Sequence, residues 1–444
     1  MPNPTEVAII KRDGSVSLYT DYATARASAV SNDRDMIQIR ADLNEPIVLK
    51  DKVDIWIMPG VELRNTSGDT ITDKVSGVSQ EVHCKIYGEG KIINTSGYSC
   101  IFLDNINSEL CIECDSFDTS EGNSTSIHIN RASKFHLICN RILSKGSAIY
   151  LGYPSTDIIE DVLLKINKVE TGDTTSNPIS GTSIVVYANG YITIEEIICK
   201  NYGHCLLHRK GKIIARINKM IGITINTGLI STLLVGQGDG NQNLVLYFDE
   251  IQNLRGTGSS TTANTIEIAQ GTCFLIGRRI FSNDGYAVSI TQPFPLSSIL
   301  TNANINCEEI ESKNFSGIFI SNVTNEVIIK ANVISGYSYY CPVSGQGSAN
   351  FLIKNSHLIN RDNTSNSRCI VLEETNNNIP NMTLNNIKAI TGNMSSGSII
   401  YQANFTGVNV KNYGLFSNKL LDSGITLTIG DDDNFLFIQS DYLT

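Results

Sequence analysis

Three stretches decide the fold: VLLKINKVETG (162–172), YITIEEIICKNYG (191–203) and KIIARINKMIG (212–222). Each alternates apolar and polar residues, adds an apolar residue a few positions on, and closes on Gly. A period of two puts one set of side chains on a single face of a strand. The motif returns in VIIKANVISGY (327–337), FLIKNSHLINR (351–361) and VNVKNYGLFSN (408–418). Its start can be followed through Val82, Leu110, Phe135, Val162, Ile192, Ile213 and Leu244, and on through Phe274, Ile305, Val327, Phe351, Met382, Val408 and Phe435. A mean spacing of about 27 residues between these anchors lies in the range of stacked-repeat proteins. One such repeat cannot bury its few inward side chains alone, and a stack of them buries a continuous column.

The strands are short, β-branched and bounded by Gly, Asn, Ser and Asp, which excludes a helical repeat. Helical periodicity occurs in DYATARASAV (21–30), with Tyr22, Ala23, Ala27 and Val30 on one face and Thr20 or Asp21 as N-cap. A helix there would cap the open end of the column. Before it, EVAIIKRDGSVSLYT (6–20) predicts a hairpin turning at Arg12-Asp13-Gly14.

Beside this repeat, DMIQIRADLNEPIVLKDKVDIWIMPGVEL (35–63) resembles the first coils of the right-handed parallel β-helix, or pectin-lyase-like, superfamily. The resemblance implies an all-β, right-handed, single-stranded parallel β-helix of about 14 coils with a short N-terminal capping helix. Its parts would be a hairpin and capping helix over residues 1–34, a β-helix over 35–420, and C-terminal strands over 421–444.

Composition narrows the function. The 444 residues are 41% apolar and 18% charged, enough for a large core. Net charge is −10, from 34 basic and 44 acidic residues, which disfavours nucleic acid and anionic lipid as partners. The longest uncharged run, Met220–Gly238, is broken by Thr, Asn, Ser and Gln, so no membrane span is expected. The opening MPNPTEVAIIKRDGS lacks a basic region followed by an apolar run of signal-peptide length, which predicts synthesis in the cytosol without export by a classical N-terminal signal. The 11 cysteines have no zinc-site spacing, and the pair Cys111 and Cys114 sits in a strand-like stretch. Cys100, Cys205 and Cys369 each precede an apolar strand pair, which predicts buried thiols at one repeated position.

Candidate chemistry is sparse. YGHCLLHRKGK (202–212) distantly resembles the Gly-His-Gly of polygalacturonases, which would make His204 catalytic; upstream, Asp173 is a single carboxylate where inverting hydrolysis needs two. Pectate-lyase chemistry needs a cation site and a basic residue. Asp249, Glu250, Glu308 and Glu309 close equivalent strands in nearby coils, beside Arg278 and Arg279. Stacked there, the carboxylates would bind a cation or protonate a glycosidic oxygen. Asp431, Asp432 and Asp433 read as a polar turn, with calcium as the alternative; no other cofactor is expected. Tyr337, Tyr339 and Tyr340 in GYSYYCPVSGQG form a candidate sugar-stacking loop.

The resemblance implies a phage virion protein of the tailspike or tail-fibre type. It would be made in the host cytoplasm, bind a surface polysaccharide as a homotrimer, and dock on other virion proteins through its N-terminal region. The alternatives are a polysaccharide lyase or glycoside hydrolase of the same fold, and a non-enzymatic structural or adaptor β-helix.

Overall fold

The computed structural model describes residues 6–417 except 32–34, 123, 153–157, 173–180, 201–202, 225–230, 237–241, 256–262, 292–300, 324, 326, 338–340, 348, 362–367, 374–380, 392–397 and 404–409. The protein is mostly β, with one short helix, and forms a parallel β-solenoid of about 10 turns. The expected count of about 14 included Val408 and Phe435, which lie outside the described residues. Two compact units make up the chain, Met1–Ile217 and Asn218–Thr444. No helix among the described residues is long and apolar enough to cross a membrane.

In the first unit, long strands at Glu109–Thr119, Lys134–Ser144 and Ile159–Thr171 pair in parallel, residue above residue. A shorter ladder joins Ile101–Asp104, Ile127–Arg131 and Ile149–Leu151. Strand Ile184–Cys199 belongs to both, pairing with Ile149–Leu151 at its start and with Ile159–Thr171 further on.

Like residues stack on like. Ile47, Ile71, Ile101, Ile127, Ile149 and Ile184 form one column, all fully buried. Ile37, Ile55, Ile86, Ile112, Leu137, Leu164 and Ile192 form another. Identical branched side chains repeat one rotamer from coil to coil, so each fills the space over its neighbour without a void. Where the chain turns inward, a buried hydroxyl column follows: Thr119 Oγ1 donates to Ser144 Oγ (2.9 Å), and Thr171 stands over Ser144. Hydroxyls here satisfy one another in a site water does not reach.

In the second unit, Leu246, Leu275, Ile305, Ile329 and Ile353 form the corresponding column. The anchor Phe274 falls one position off this register: it is 42% exposed, and Leu275 takes the inward place. A slip of one residue moves a strand side chain to the opposite face.

The N-terminal hairpin pairs Val7–Ile10 with Val16–Tyr19, turning at Gly14, whose φ is +84°. The helix is Tyr22–Ser28, and Asp21 is its N-cap, accepting from the Thr24 N–H (2.7 Å). Its buried residues are Tyr22 and Ala25, with Ala29 beyond its end, whereas Ala23, Ala27 and Val30 are exposed. The buried positions step by three and four from Tyr22, which anchors on the Val48 carbonyl through its hydroxyl (2.9 Å).

All eleven cysteines are free thiols, and ten are buried, Cys100, Cys205 and Cys369 among them. Cys111 is half-buried on the outer face, three residues from inward Cys114, so the two cannot share a metal.

Candidate functional site

The candidate site lies on the outer face of the short ladder in the first unit. Three strands present the same triplet, Ile-x-Leu/Ile, as Ile101-Phe102-Leu103, Ile127-His128-Ile129 and Ile149-Tyr150-Leu151. The flanking residues point into the core, so the middle residue points out. Parallel register then sets Phe102 over His128 and His128 over Tyr150. Phe102 and His128 meet edge to face at 5.4 Å and His128 and Tyr150 at 5.2 Å; in the next coil Val185 pairs with Tyr150, and the buried Tyr187 packs 6.2 Å from the Tyr150 ring. These contacts fix the rings in place, each worth about 0.5–1.5 kcal/mol beyond area burial.

A small hairpin, Lys74–Val75 paired with Val78–Ser79, closes one end of the stripe. Ser76 and Gly77 both have positive φ, at 49° and 82°, the signature of a turn matched to strand twist. The hairpin delivers Lys74 Nζ over the Phe102 ring, 3.8 Å from its centroid. Asp104, half-buried at the other side, holds Arg131 Nε at 2.8 Å.

Titration in this region is perturbed. Burial raises the Asp69 carboxyl above the usual range, opposed by the Ser99 N–H bonded to its Oδ1 (2.9 Å) and by Lys74 and His128. Asp73, just after strand Ile71–Thr72, is fully buried, accepts the Asp104 N–H (3.0 Å), and is likewise raised by burial. Burial lowers His128, with Asn130, Asp69 and Asp104 acting against it. Asp69, raised by burial, and His128, lowered by burial, act on each other at the border of the stripe, and such paired perturbations cluster at functional sites. No group of three or more His, Cys, Asp and Glu able to hold a metal occurs among the described residues.

The residues singled out from sequence lie elsewhere. Asp249, Glu250, Arg278, Glu308 and Glu309 do come together, on the outer face of the second unit. The register is Glu250 over Arg279 over Glu309, so the carboxylates alternate with an arginine rather than stacking on each other. Arg279 reaches Glu250 (3.2 Å), Glu309 (3.2 Å) and Glu311 (2.9 Å), and Glu311 also holds Arg361 (2.7 Å). Arg278 binds Asp249 at 2.6 Å and keeps its carboxyl below the usual range. The guanidinium occupies the place a bound cation would take, and an Asp249 held ionised makes a poor proton donor.

His204 is half-buried at a turn, where its carbonyl accepts the Ser183 N–H (2.7 Å). Tyr337 is 46% exposed. Asp173, Tyr339, Tyr340, Asp431, Asp432 and Asp433 lie outside the described residues.

His208, fully enclosed in the first unit, is pushed by burial from its ordinary 6.5 down to about 4. The unfolded chain therefore binds a proton first as pH falls. The stability that neutral His208 supplies is complete above pH 6.5 and is lost progressively towards pH 4. His208→Gln is expected to flatten this loss, by on the order of 3 kcal/mol at pH 4. Urea midpoints of both proteins at pH 7 and pH 4 measure it; equal slopes against pH would contradict the assignment.

Comparison with known families, curated proteins and solved structures finds no match for the chain.

Proposed function

We propose that the protein binds a polysaccharide along the outer face of its first unit, as a virion protein of the tailspike or tail-fibre kind built on a pectin-lyase-like β-helix. The observation that carries this reading is the stripe of Phe102, His128 and Tyr150, one ring per coil, with Lys74, Asp69, Asp104 and Arg131 at its borders. Strand neighbours lie about 4.8 Å apart, so the stripe is a ruler for an extended chain with repeating apolar faces and hydroxyls. Aromatic rings cover the apolar faces, and charged neighbours hydrogen-bond the hydroxyls. On this reading the protein is a homotrimer assembled in the host cytoplasm, and its N-terminal hairpin and helix dock on the particle.

A second reading, cleavage of the bound glycan, is favoured by Asp69, whose burial-raised carboxyl borders the stripe and suits a general acid. Both readings share one experiment. The protein is screened on immobilised bacterial polysaccharides, and positives are assayed for new reducing ends. Tyr150→Ala is expected to weaken binding by about 1–3 kcal/mol, roughly ten- to a hundredfold, as for one aromatic anchor. Asp69→Asn is expected to abolish cleavage if there is any, while retaining binding. Unchanged binding in Tyr150→Ala removes the stripe from the function, and no glycan ligand at all leaves the structural or adaptor role.

A further inference from the structure

The long-strand ladder of the first unit carries a different feature, an open pocket of about 450 Å³ lined by Lys52, Lys85, Lys134, His83, Cys111 and the carboxylates Asp54 and Glu109. Register explains its shape. Lys85, Cys111 and His136 stack in one outer column, and the short Cys111 side chain between two long ones leaves a depression. The adjacent column runs His83, Glu109, Lys134 and Asp161. Three ammonium groups thus border a hollow whose floor is a thiol.

The hydrogen bonds of this face decide what the hollow takes. Asp51 Oδ1 is used by His83, accepting its backbone N–H (3.0 Å) and contacting its Nδ1 (2.9 Å). Asp161 Oδ1 is engaged by His136 Nε2 (3.0 Å), and Asp54 Oδ1 accepts the Lys85 backbone N–H (2.8 Å). One oxygen of each carboxylate is committed to these partners. Lys52 Nζ is left 4.0 Å from Asp51 and Lys134 Nζ 3.6 Å from Asp161, beyond direct hydrogen bonds. Lys85 makes no ion pair among the described residues. Each ammonium offers three donors, more than the neighbouring carboxylate oxygens take up at these distances, so donors remain for a ligand.

We propose that this pocket binds a phosphate- or sulfate-bearing ligand through Lys52, Lys85 and Lys134. A tetrahedral oxyanion presents acceptors in several directions at once and fills a gap between ammoniums contributed by separate coils. Asp54 and Glu109, lining carboxylates with no ion pair among the described residues, oppose the anion and limit its affinity. The site is independent of polysaccharide binding at the aromatic stripe.

Cys111 reports on occupancy, because it is the one thiol of eleven that is not buried. The full-length protein is alkylated with iodoacetamide, a neutral reagent, in inorganic phosphate, inorganic sulfate or chloride at matched ionic strength, and Cys111 is followed by peptide mass spectrometry. Phosphate or sulfate is expected to slow labelling saturably, roughly tenfold at ten times the half-protecting concentration. Protection by phosphate should strengthen from pH 6 to 8 as its second proton leaves, whereas protection by sulfate should not. Lys85→Ala and Lys134→Ala should abolish protection, and Glu109→Gln should lower the half-protecting concentration. Melting temperature is the second readout: the oxyanion should raise it over the chloride control in the wild type and not in Lys85→Ala. Equal protection by chloride, or protection and thermal shift unchanged in both lysine variants, would overturn the proposal.

Discussion

Phe135→Ala is expected to destabilise the first unit by about 3–5 kcal/mol, a large part of the stability of a typical domain. Phe135 is fully buried, and its column reads Cys84, Leu110, Phe135, Val162 and Gly190. It supplies the largest side chain in that column. The strands above and below are hydrogen-bonded in register along their length, so neither can sink into the vacated space. The cost therefore includes the cavity as well as the lost burial. Urea denaturation of the full chain measures it. A loss under about 1.5 kcal/mol, the range of tolerated volume-conserving swaps, would mean that the column collapses easily and that stacking does not dominate the core.

Gly190→Ala is the second large effect, and it arises at the end of the same column. Gly190 has φ of +151°, and an added Cβ would lie 2.0 Å from the Val162 carbonyl oxygen. The obstructing atom is backbone, so no rotamer change relieves it. Strand Ile184–Cys199 passes from the short ladder to the long one just before this point, and the close approach makes that corner. Forced separation there adds overpacking of about 1–3 kcal/mol to a backbone penalty of about 1–3 kcal/mol. The expected result is a urea midpoint lowered well below that of the wild type, unlike Ala at an exposed glycine of negative φ, which leaves it near the wild-type value. Wild-type stability in Gly190→Ala would show that the corner is looser than the register implies.

Much of the fold was legible in the sequence because β-solenoid order is one-dimensional. Alternation in 162–172 and 191–203 gives strand and face, and recurrence gives stacking. Register was less legible, since alternation looks alike when shifted by two: Ile192 stacks on Leu164, and it is Gly190 that stands over the anchor Val162. At Phe274 an exposed aromatic imitates a core anchor, and only its pairing with Asn304 shows that it faces outward.

The candidate site was hidden for another reason. Phe102, His128 and Tyr150 are separated by more than twenty residues each and sit in strands of three to five residues, too short to attract notice singly. Their shared signal is the middle place of an Ile-x-Leu/Ile triplet, which becomes meaningful once the triplets are stacked. The arginine between Glu250 and Glu309 was legible as a residue but not as a partner, because its coil inserts between theirs.

Whether the aromatic stripe is the glycan-contact surface is decided by hydrogen–deuterium exchange on the full-length protein with and without a polysaccharide found in the binding screen. Bound polysaccharide is expected to slow exchange in peptides covering Ile101–Asp104, Ile127–Arg131 and Ile149–Leu151 and in the Lys74–Ser79 hairpin. Protection confined to the second unit, with these four segments unchanged, would contradict it.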